Sequence, residues 1–259
     1  MTDSPRDRLL DVRPGDRWLV AVAHPDDESF GCGSTIASAV VNGAAVTVVC
    51  ATRGEEGERA PGSPDGDLGT VREDELRRAA ARLGVERVDL LGYRDSGFDG
   101  DPPPGALCAA PVVEIAHALR GLLGELRPDV LLVLDGSDGH RDHLQMRAAA
   151  RAAVAGMDDG APLLVEQCMP NSLLRSWLQE MQQLRPDTAY HSLDPATLGR
   201  PDADITDVVD SVAVLDRREA AIAEHRSQTS PFDGLSPELR RAFLATDHLA
   251  RVDLAGDSA

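Results

Sequence analysis

The stretch His24-Pro25-Asp26-Asp27-Glu28 places one imidazole and three carboxylates within five residues. Carboxylates this close together repel one another unless a cation neutralises them, which favours a metal site. His24 and Asp27 can point to one ion if the chain turns after Pro25, and Asp26 then faces the other way. The alternative is an acidic cluster that caps the following helix, because a helix N-terminus also favours Asp and Glu.

A second polar cluster covers residues 135–143, which read DGSDGHRDH and place His140 and His143 three residues apart. Either histidine alone would be interpreted as a capped surface residue. The chain holds 7 histidines, however, and three of them lie in these two clusters. If both clusters meet, they supply two histidines and one aspartate to a single zinc ion and leave a position open for water. The pattern therefore favours a hydrolytic metal site.

The elements around these clusters alternate between apolar runs and helical patterns. Residues 18–23, 45–51, 88–91 and 129–134 predict buried strands, and residues 29–42, 70–83 and 111–126 predict helices between them. This βαβαβαβ order predicts a single-domain Rossmann-like α/β fold, a mostly parallel sheet with helices on both faces. Ligands of such sheets bind beyond the carboxyl ends of the strands. The loops that start near residues 24, 52, 92 and 135 should therefore converge.

The second half of the chain predicts further elements of the same domain. From residue 151 onward we expect a helix, a strand over 163–167, a helix over 172–184, a short strand near Ile205 and helices over 214–225 and 237–244. The predicted domain spans residues 15–245. Residues 1–14 are predicted to be a mobile N-terminal arm and residues 246–259 a mobile acidic tail.

Composition excludes several classes of function. The 26 basic residues, all arginine, stand against 44 acidic residues, so the net charge is −18, which argues against nucleic-acid binding. The lack of lysine removes Schiff-base and P-loop chemistry. The four cysteines are scattered and are interpreted as buried thiols. Neither a membrane span nor a secretory signal is predicted, so we expect a cytoplasmic protein without a membrane partner.

These motifs resemble those of a known family. AHPDDE at residues 23–28 together with GHRDH at residues 139–143 resembles the PIG-L/LmbE family of zinc-dependent N-deacetylases. Further segments are similar in order and spacing, namely TRGEEGE at 52–58, the 72–85 segment, LGYRDSG at 91–97 and EAAIAEHRSQ at 219–228. The resemblance implies removal of an acetyl group from an N-acetylglucosamine-containing molecule or a related amino sugar.

The resemblance also implies roles for individual residues. His24, Asp27 and His143 would bind one zinc ion per chain, and iron could use the same ligands. Asp26 would be the general base that takes a proton from the zinc-bound water. His140 would donate to the oxyanion, and Asp142 would orient His140 and keep it protonated. The three groups Asp26, His140 and Asp142 form the expected catalytic set.

Substrate contacts are implied for Arg72 and Asp95, with Glu58 at the rim of the site, whereas the alternative for Arg72 is a solvated residue of a first helical turn. Family members in mycothiol biosynthesis carry a tyrosine two residues before the first histidine of the second motif, and this chain has Asp138 there. This difference leaves the substrate open. The alternative within the family is an amidase that cleaves a larger amide, such as a mycothiol S-conjugate. A homo-oligomer is possible, and the sequence does not decide it.

Two other classes of function compete with this interpretation. Gly31-Cys32-Gly33 follows the first predicted strand and could belong to a nucleotide or S-adenosylmethionine binder, but the glycines come too late after the strand for that fingerprint. A non-catalytic zinc-binding protein of the same fold is the other alternative. Asp26 and His140 argue against it, because a purely structural zinc site needs neither a base nor an oxyanion donor.

Overall fold

The fold is built on one seven-stranded sheet in a computed structural model that describes residues 12–157, 160–185 and 193–254. The strands are β1 Arg17–Val22, β2 Ala45–Cys50, β3 Arg87–Leu90, β4 Val130–Leu134, β5 Leu163–Cys168, β6 Asp207–Asp210 and β7 Thr246–Arg251. Their order is β3-β2-β1-β4-β5-β7-β6. Strands β1 to β5 are parallel, and β7 is antiparallel to both of its neighbours. The predicted Rossmann-like, mostly parallel α/β fold is confirmed.

Helices cover both faces of this sheet. They are α1 Asp27–Phe30, α2 Gly33–Val41, α3 Leu68–Leu83, α4 Val112–Leu126, α5 Arg141–Ala155, α6 Asn171–Leu184, α7 Leu215–Ile222 and α8 Pro237–Leu244. Buried side chains of α2, α3 and α7 belong to one core cluster, and those of α4 and α5 belong to another. Among the described residues, no helix combines the length and the apolar character that a membrane crossing needs.

Strand β1 shows why the strands read as continuous apolar runs. Trp18, Val20 and Val22 contribute to the first core cluster, whereas Leu19 and Ala21 contribute to the second. Successive side chains of a strand point to opposite faces, and here both faces are covered by helices. A polar side chain inside β1 would therefore be buried, and the imidazole and carboxylates can begin only after the strand ends.

A third core cluster lies apart from the two faces of the sheet. It joins α6 and α8 through buried residues such as Leu174, Leu178 and Phe243, and Phe30 of α1 packs against it. This cluster brings the second half of the chain against the turn that follows β1. It thereby supplies one wall of the region around that turn.

Two helix boundaries differ from the sequence prediction. The helix expected over 29–42 is divided into α1 and α2. At Gly31 the chain passes so close to β4 that an added Cβ would lie 2.8 Å from Leu134 Cδ2. Helix α5 begins at Arg141, ten residues earlier than the helix that we expected from 151 onward. Its first turn is polar, and three of its seven buried residues are alanines, so it carries little apolar periodicity.

The expected mobile tail over 246–259 is wrong in its first half. Residues Thr246–Arg251 form β7, which lies between β5 and β6 in the sheet. The predicted short strand near Ile205 corresponds to β6, which pairs with β7. Residues 255–259 and residues 1–11 of the predicted N-terminal arm lie outside the described residues.

Candidate active site

The two polar clusters meet beyond the carboxyl ends of β1 and β4, which are adjacent in the sheet. His24 follows β1 by two residues, and His140 and His143 lie at the start of α5. The ring centroids are 4.5 Å apart for His24 and His140, 4.9 Å for His140 and His143, and 5.3 Å for His24 and His143. The chain leaves β1 and β4 towards opposite sides of the sheet, so the site occupies the position where such folds bind ligands.

The turn after Pro25 directs Asp26 away from its neighbour Asp27. Asp26 has φ 126°, and Arg127 is the only other described non-glycine residue with a positive φ. A backbone of this kind is costly for an L-residue and persists only where its surroundings hold it. The Asp26 N–H donates to Glu28 Oε2 at 2.9 Å, and the Asp26 carboxylate accepts from Arg72 at 2.9 Å. Two side chains thus hold the turn in place.

Asp27 is the first residue of α1, and its carboxylate faces back towards β1. Its Oδ2 accepts from the backbone N–H groups of Ala23 and His24 at 3.0 and 2.8 Å. Oδ2 also lies 3.7 Å from His24 Nδ1, and Oδ1 lies 3.2 Å from His143 Nε2. One ring nitrogen of each histidine therefore lies within 4 Å of the Asp27 carboxylate.

The other nitrogen of each of these two rings contacts an outer carboxylate. His143 Nδ1 lies 2.6 Å from Asp138 Oδ2, and His24 Nε2 lies 3.1 Å from Asp142 Oδ2 and 3.4 Å from Asp95 Oδ1. Carboxylate partners of this kind fix the orientation of metal-ligating histidines. Asp138, the position at which the sequence differs from mycothiol-pathway relatives, is thus the partner of His143.

The structure corrects the role that we expected for Asp142. Its carboxylate contacts His24 and also accepts from Ser96 Oγ and Ser96 N–H, and it does not orient the ring of His140. Instead, the backbone N–H of Asp142 donates to His140 Nδ1 at 3.2 Å. An Nδ1 that accepts a hydrogen bond carries no proton, so the proton of a neutral ring lies on Nε2. His140 is therefore a neutral donor through Nε2–H.

The electrostatics of the site separate its groups. Burial lowers the pKa of His140 to about 4, and the neighbouring rings of His24 and His143 act in the same direction. Burial would also lower the pKa of His24, but hydrogen bonds to Asp142 and Asp95 and the charge of Asp27 raise it to about 9. Burial would lower the pKa of His143 too, but Asp138 and Asp27 raise it well above the usual range. The neighbouring carboxylates thus favour a cation, either a proton or a metal ion, at His24 and His143 but not at His140.

Asp26 is set apart from the other carboxylates by its surroundings. Burial raises the pKa of Asp26 to about 6, although the adjacent Arg72 acts against this rise. Asp27, in contrast, has a pKa held below the usual range by His143 and His24 despite its burial. Two adjacent carboxylates therefore differ in kind: Asp27 is a permanent anion, and Asp26 can take up and return a proton near neutral pH.

Two cavities adjoin the three rings of His24, His140 and His143, which we call the histidine cluster. A polar cavity of about 340 Å³ is lined by residues that include Asp26, Glu58, Arg72, Asp95 and Gln228. A largely apolar cavity of about 380 Å³ lies on the other side. Both share the walls formed by Asp27, Phe98, His140 and His143. A molecule bound at the cluster can therefore extend in two directions.

Comparisons with known proteins agree with this geometry. The family model described as "PIG-L: GlcNAc-PI de-N-acetylase" matches residues 19–154. The 1D-myo-inositol 2-acetamido-2-deoxy-alpha-D-glucopyranoside deacetylase of Thermobifida fusca is 36% identical in an alignment that covers 83% of this chain and 84% of the relative. The deacetylase of the same name from Streptomyces scabiei is 37% identical in an alignment that covers 93% of this chain and 85% of the relative.

The chain belongs to the PIG-L family.

Solved structures show the same fold as this PIG-L protein. The N,N'-diacetylchitobiose deacetylase of Pyrococcus horikoshii has a TM-score of 0.63 at 21% identity and covers 98% of this chain and 94% of its own. The hydratase GalB of Pseudomonas putida matches with a TM-score of 0.56 at 19% identity and covers 92% and 96%. The predicted membership of a family of amide-hydrolysing N-deacetylases is confirmed by the sequence matches. The fold alone would not decide the reaction, since it also carries a hydratase.

The residues of this PIG-L protein fit a zinc ion. Nε2 of His143 is buried without a hydrogen-bond partner, although it lies 3.2 Å from an oxygen of Asp27. An unpaired buried nitrogen beside a permanent anion is suited to a metal bond. Ligand atoms of His24, His140 and His143 lie within 4.8 Å of one another, as do those of His24, Asp95 and Asp142, and Asp27 belongs to neither of these two groups. His24, Asp27 and His143 are the set in which both imidazoles already have an outer carboxylate.

The expected substrate-contacting residues lie at the polar cavity, but two of them are already engaged. Arg72 is 3% exposed and donates to Gly54 O, Pro25 O and Asp26. A Cβ at Gly54, where φ is 66°, would lie only 2.4 Å from the Arg72 guanidinium, so the loop needs glycine there. Asp95 is also 3% exposed and accepts from Gly97 N–H at 2.8 Å. Glu58 is exposed at the rim, as expected.

Several site residues of this PIG-L protein were not assigned a role from sequence. Glu28 is fully buried, and its Oε1 lies 2.6 Å from Nε2 of His225. Gln228 lines the polar cavity, and Ser96 holds Asp142. The signal for His225 and Gln228 was available in the EAAIAEHRSQ segment, which resembles the family outside residues 19–154. The sequence alone offered no partner for a histidine so far from the two clusters.

Proposed function

We propose that this PIG-L protein removes the acetyl group from an N-acetylglucosamine-containing small molecule in a zinc-dependent reaction, with one zinc ion per chain. An N-acetylglucosaminide of inositol, of the kind named for the relatives, is the first candidate substrate. One observation carries the proposal: a ring nitrogen of His24 and one of His143 lie 3.7 and 3.2 Å from the Asp27 carboxylate, and Asp26 and His140 line the same polar cavity. A cytoplasmic location is part of the proposal.

A zinc ion held by His24, Asp27 and His143 would act as a Lewis acid that polarises the amide carbonyl and makes water at the site more acidic. Asp26 takes the proton of the attacking water, because its carboxylate is ionised above about pH 6. His140 donates from Nε2–H to the carbonyl oxygen as negative charge develops there. Asp26 then returns its proton to the nitrogen, so that the C–N bond breaks and the products are acetate and a free amine.

Arg72 has two tasks in this scheme. Its guanidinium holds the carboxylate of Asp26 at 2.9 Å and the carbonyl oxygen of Pro25 at 2.6 Å, which fixes the turn that carries the base. Its charge also opposes the rise in the pKa of Asp26 that burial causes. We therefore assign Arg72 the positioning of Asp26 and assign sugar recognition to the rest of the polar cavity, with Glu58 at its rim.

The proposed function is tested by a mass-spectrometric screen of zinc-loaded protein. The substrates are N-acetylglucosaminyl inositol, other N-acetylglucosaminides, acetylated aminoglycoside intermediates and a mycothiol S-conjugate. Loss of one acetyl group from an amino sugar supports the proposal. Cleavage of the S-conjugate alone would show that the protein is an amidase for larger amides. Turnover that survives complete removal of zinc, without any metal in its place, would contradict the proposed chemistry.

A further inference from the structure

The apolar cavity lies beside the histidine cluster. An acetyl group is only two carbons long and would leave this cavity empty. Its volume is about 380 Å³, and aromatic and aliphatic side chains dominate its walls. These include Phe30, Leu174, Trp177, Phe232 and Phe243. Leu174, Phe232 and Phe243 are buried members of the third core cluster, so the wall is part of the folded core. A partly open apolar cavity of this size next to reacting groups is typical of a ligand site.

The position of Asp26 decides which half of an amide can enter this cavity. Asp26 lines the polar cavity and does not line the apolar one. In the proposed reaction Asp26 gives its proton to the departing nitrogen, so the amine half of the substrate must lie on the polar side. Asp27, His140 and His143 line both cavities and mark the place of the carbonyl group. The acyl substituent extends from the carbonyl carbon away from nitrogen, and hence towards the apolar side.

We propose that the apolar cavity can hold a longer acyl chain, and that the substrates of this enzyme extend from N-acetyl to N-alkanoyl amino sugars with chains of roughly six to eight carbons. At about 30 Å³ for each water-sized group, such a chain fills around half of the cavity and leaves room for its conformations. The inference rests on the proposed function. The reaction consumes one water: the acyl C–N bond breaks, the acyl carbon gains an oxygen as a carboxylic acid, and the nitrogen leaves as an amine.

The test uses the zinc-loaded full chain and glucosamine carrying N-acetyl, N-butyryl, N-hexanoyl or N-octanoyl groups. All four substrates release the same amine, so one fluorescent amine assay measures every rate. Transfer of each methylene from water into an apolar site should raise kcat/KM about fourfold until the cavity is filled. We therefore expect kcat/KM to rise from acetyl to hexanoyl.

Two neighbouring residues of α6 provide a matched pair of variants. Leu174 lines the apolar cavity, whereas Leu173 lines a different cavity. Leu174→Trp should lower the ratio of hexanoyl to acetyl turnover at least about tenfold, and Leu173→Trp should leave the ratio unchanged. Trp177→Ala enlarges the cavity and should move the preferred chain to a greater length. This second change keeps the test valid if Leu174→Trp does not fold.

Three results would overturn the inference. Turnover that falls steadily from acetyl to octanoyl would show that the acyl chain does not enter the cavity, and the proposed function would stand. An octyl glycoside of N-acetylglucosamine that gains rate, with the gain removed by Leu174→Trp, would show that the cavity holds the aglycone. If no N-acyl glucosamine or N-acetylglucosaminide is hydrolysed, the proposed function fails together with the inference.

Discussion

The two cavities that meet at the histidine cluster differ in how their walls are built. The polar cavity is bounded by loops after β1, β2 and β3, and its charged residues are held by one another and by backbone groups. The apolar cavity is bounded partly by α1 and the loop after β4, and partly by the end of β5, α6, α8 and the segment between α7 and α8. Of the residues that line the polar cavity, only Gln228 lies beyond residue 154, where the family model ends, whereas about half of those that line the apolar cavity lie beyond it.

This difference suggests a division of roles: the polar cavity carries the groups for the chemical step, and the apolar cavity selects the acyl group. Groups that must hold a proton or an ion at a fixed position lie where paired carboxylates, arginine and backbone donors leave little freedom. Groups that only need to exclude water and match a shape lie in the third core cluster, where one apolar side chain can replace another at little cost. Substitutions on the polar side should therefore change rates and pH profiles, and substitutions on the apolar side should change which acyl group is accepted.

The largest effect is expected from His143→Ala. The change removes a nitrogen that faces Asp27, so metal affinity should fall well beyond the 10- to 100-fold that loss of an outer partner costs, and turnover should fall with it. Asp138→Asn is the matched control, since it weakens the outer contact to His143 and leaves an amide oxygen for the N–H of His140. Metal analysis after dialysis measures both. Full zinc occupancy in His143→Ala would show that the metal lies elsewhere in the cluster.

Asp26→Asn is expected to be next in size. The amide keeps the shape of the turn but cannot accept the proton, so turnover should fall about 10²- to 10⁴-fold while zinc stays bound. Zinc content and single-turnover rates separate the two properties. If the variant instead loses its zinc, Asp26 is a ligand and the roles of Asp26 and Asp27 are exchanged.

A smaller and more specific effect is expected at Arg72. In the wild type, kcat/KM should decline below about pH 6, where Asp26 becomes protonated. Because the Arg72 cation lowers the pKa of Asp26, Arg72→Gln should raise that pKa and move the acid limb to higher pH by about one unit. At pH 6 this costs about fivefold in kcat/KM, and the loss approaches about tenfold at lower pH.

The control for this change is Arg72→Lys, which keeps a positive charge near Asp26 and should keep the acid limb close to its original pH. The effect should be equal for an intact glycoside and for a simple acetamide, because Arg72 acts through the base. A loss confined to the glycoside would restore Arg72 to the sugar-binding role that the family resemblance implied.

The sequence predicted those site residues whose place follows from the end of a strand. The apolar runs of β1 and β4 cannot hold charges, so their polar residues must follow the strands, and parallel neighbours bring those residues together. His24, Asp27 and His143 could be expected to meet for this reason. The partner of Asp142 could not, because the choice between His24 and His140 depends on how the loop that carries Ser96 packs against α5.

Strand β7 was missed for a related reason. Its residue Asp247 is 2% exposed and pairs with Arg218 at 2.9 Å, and it also accepts from Thr35 at 2.7 and 2.8 Å. A buried strand that carries a fully paired charge has no continuous apolar run, and its partners lie 29 and 212 residues away in sequence. The burial of Arg72 could not be predicted either, because it depends on Gly54 and Gly57 in the loop after β2.

The smallest effect is expected at Glu58, at the exposed rim of the polar cavity. A hydrogen bond from a sugar hydroxyl to an exposed carboxylate should contribute about 0.5–1 kcal/mol, so Glu58→Gln should raise KM for an intact glycoside about two- to fivefold and leave kcat unchanged. Asp65→Asn is the matched control, since Asp65 is an exposed acid of the same loop that does not line the cavity. The ratio of hexanoyl to acetyl turnover should be the same in both variants, because the rim lies on the amine side. A change in acyl preference at Glu58 would mean that the two cavities do not select the two halves of the substrate independently.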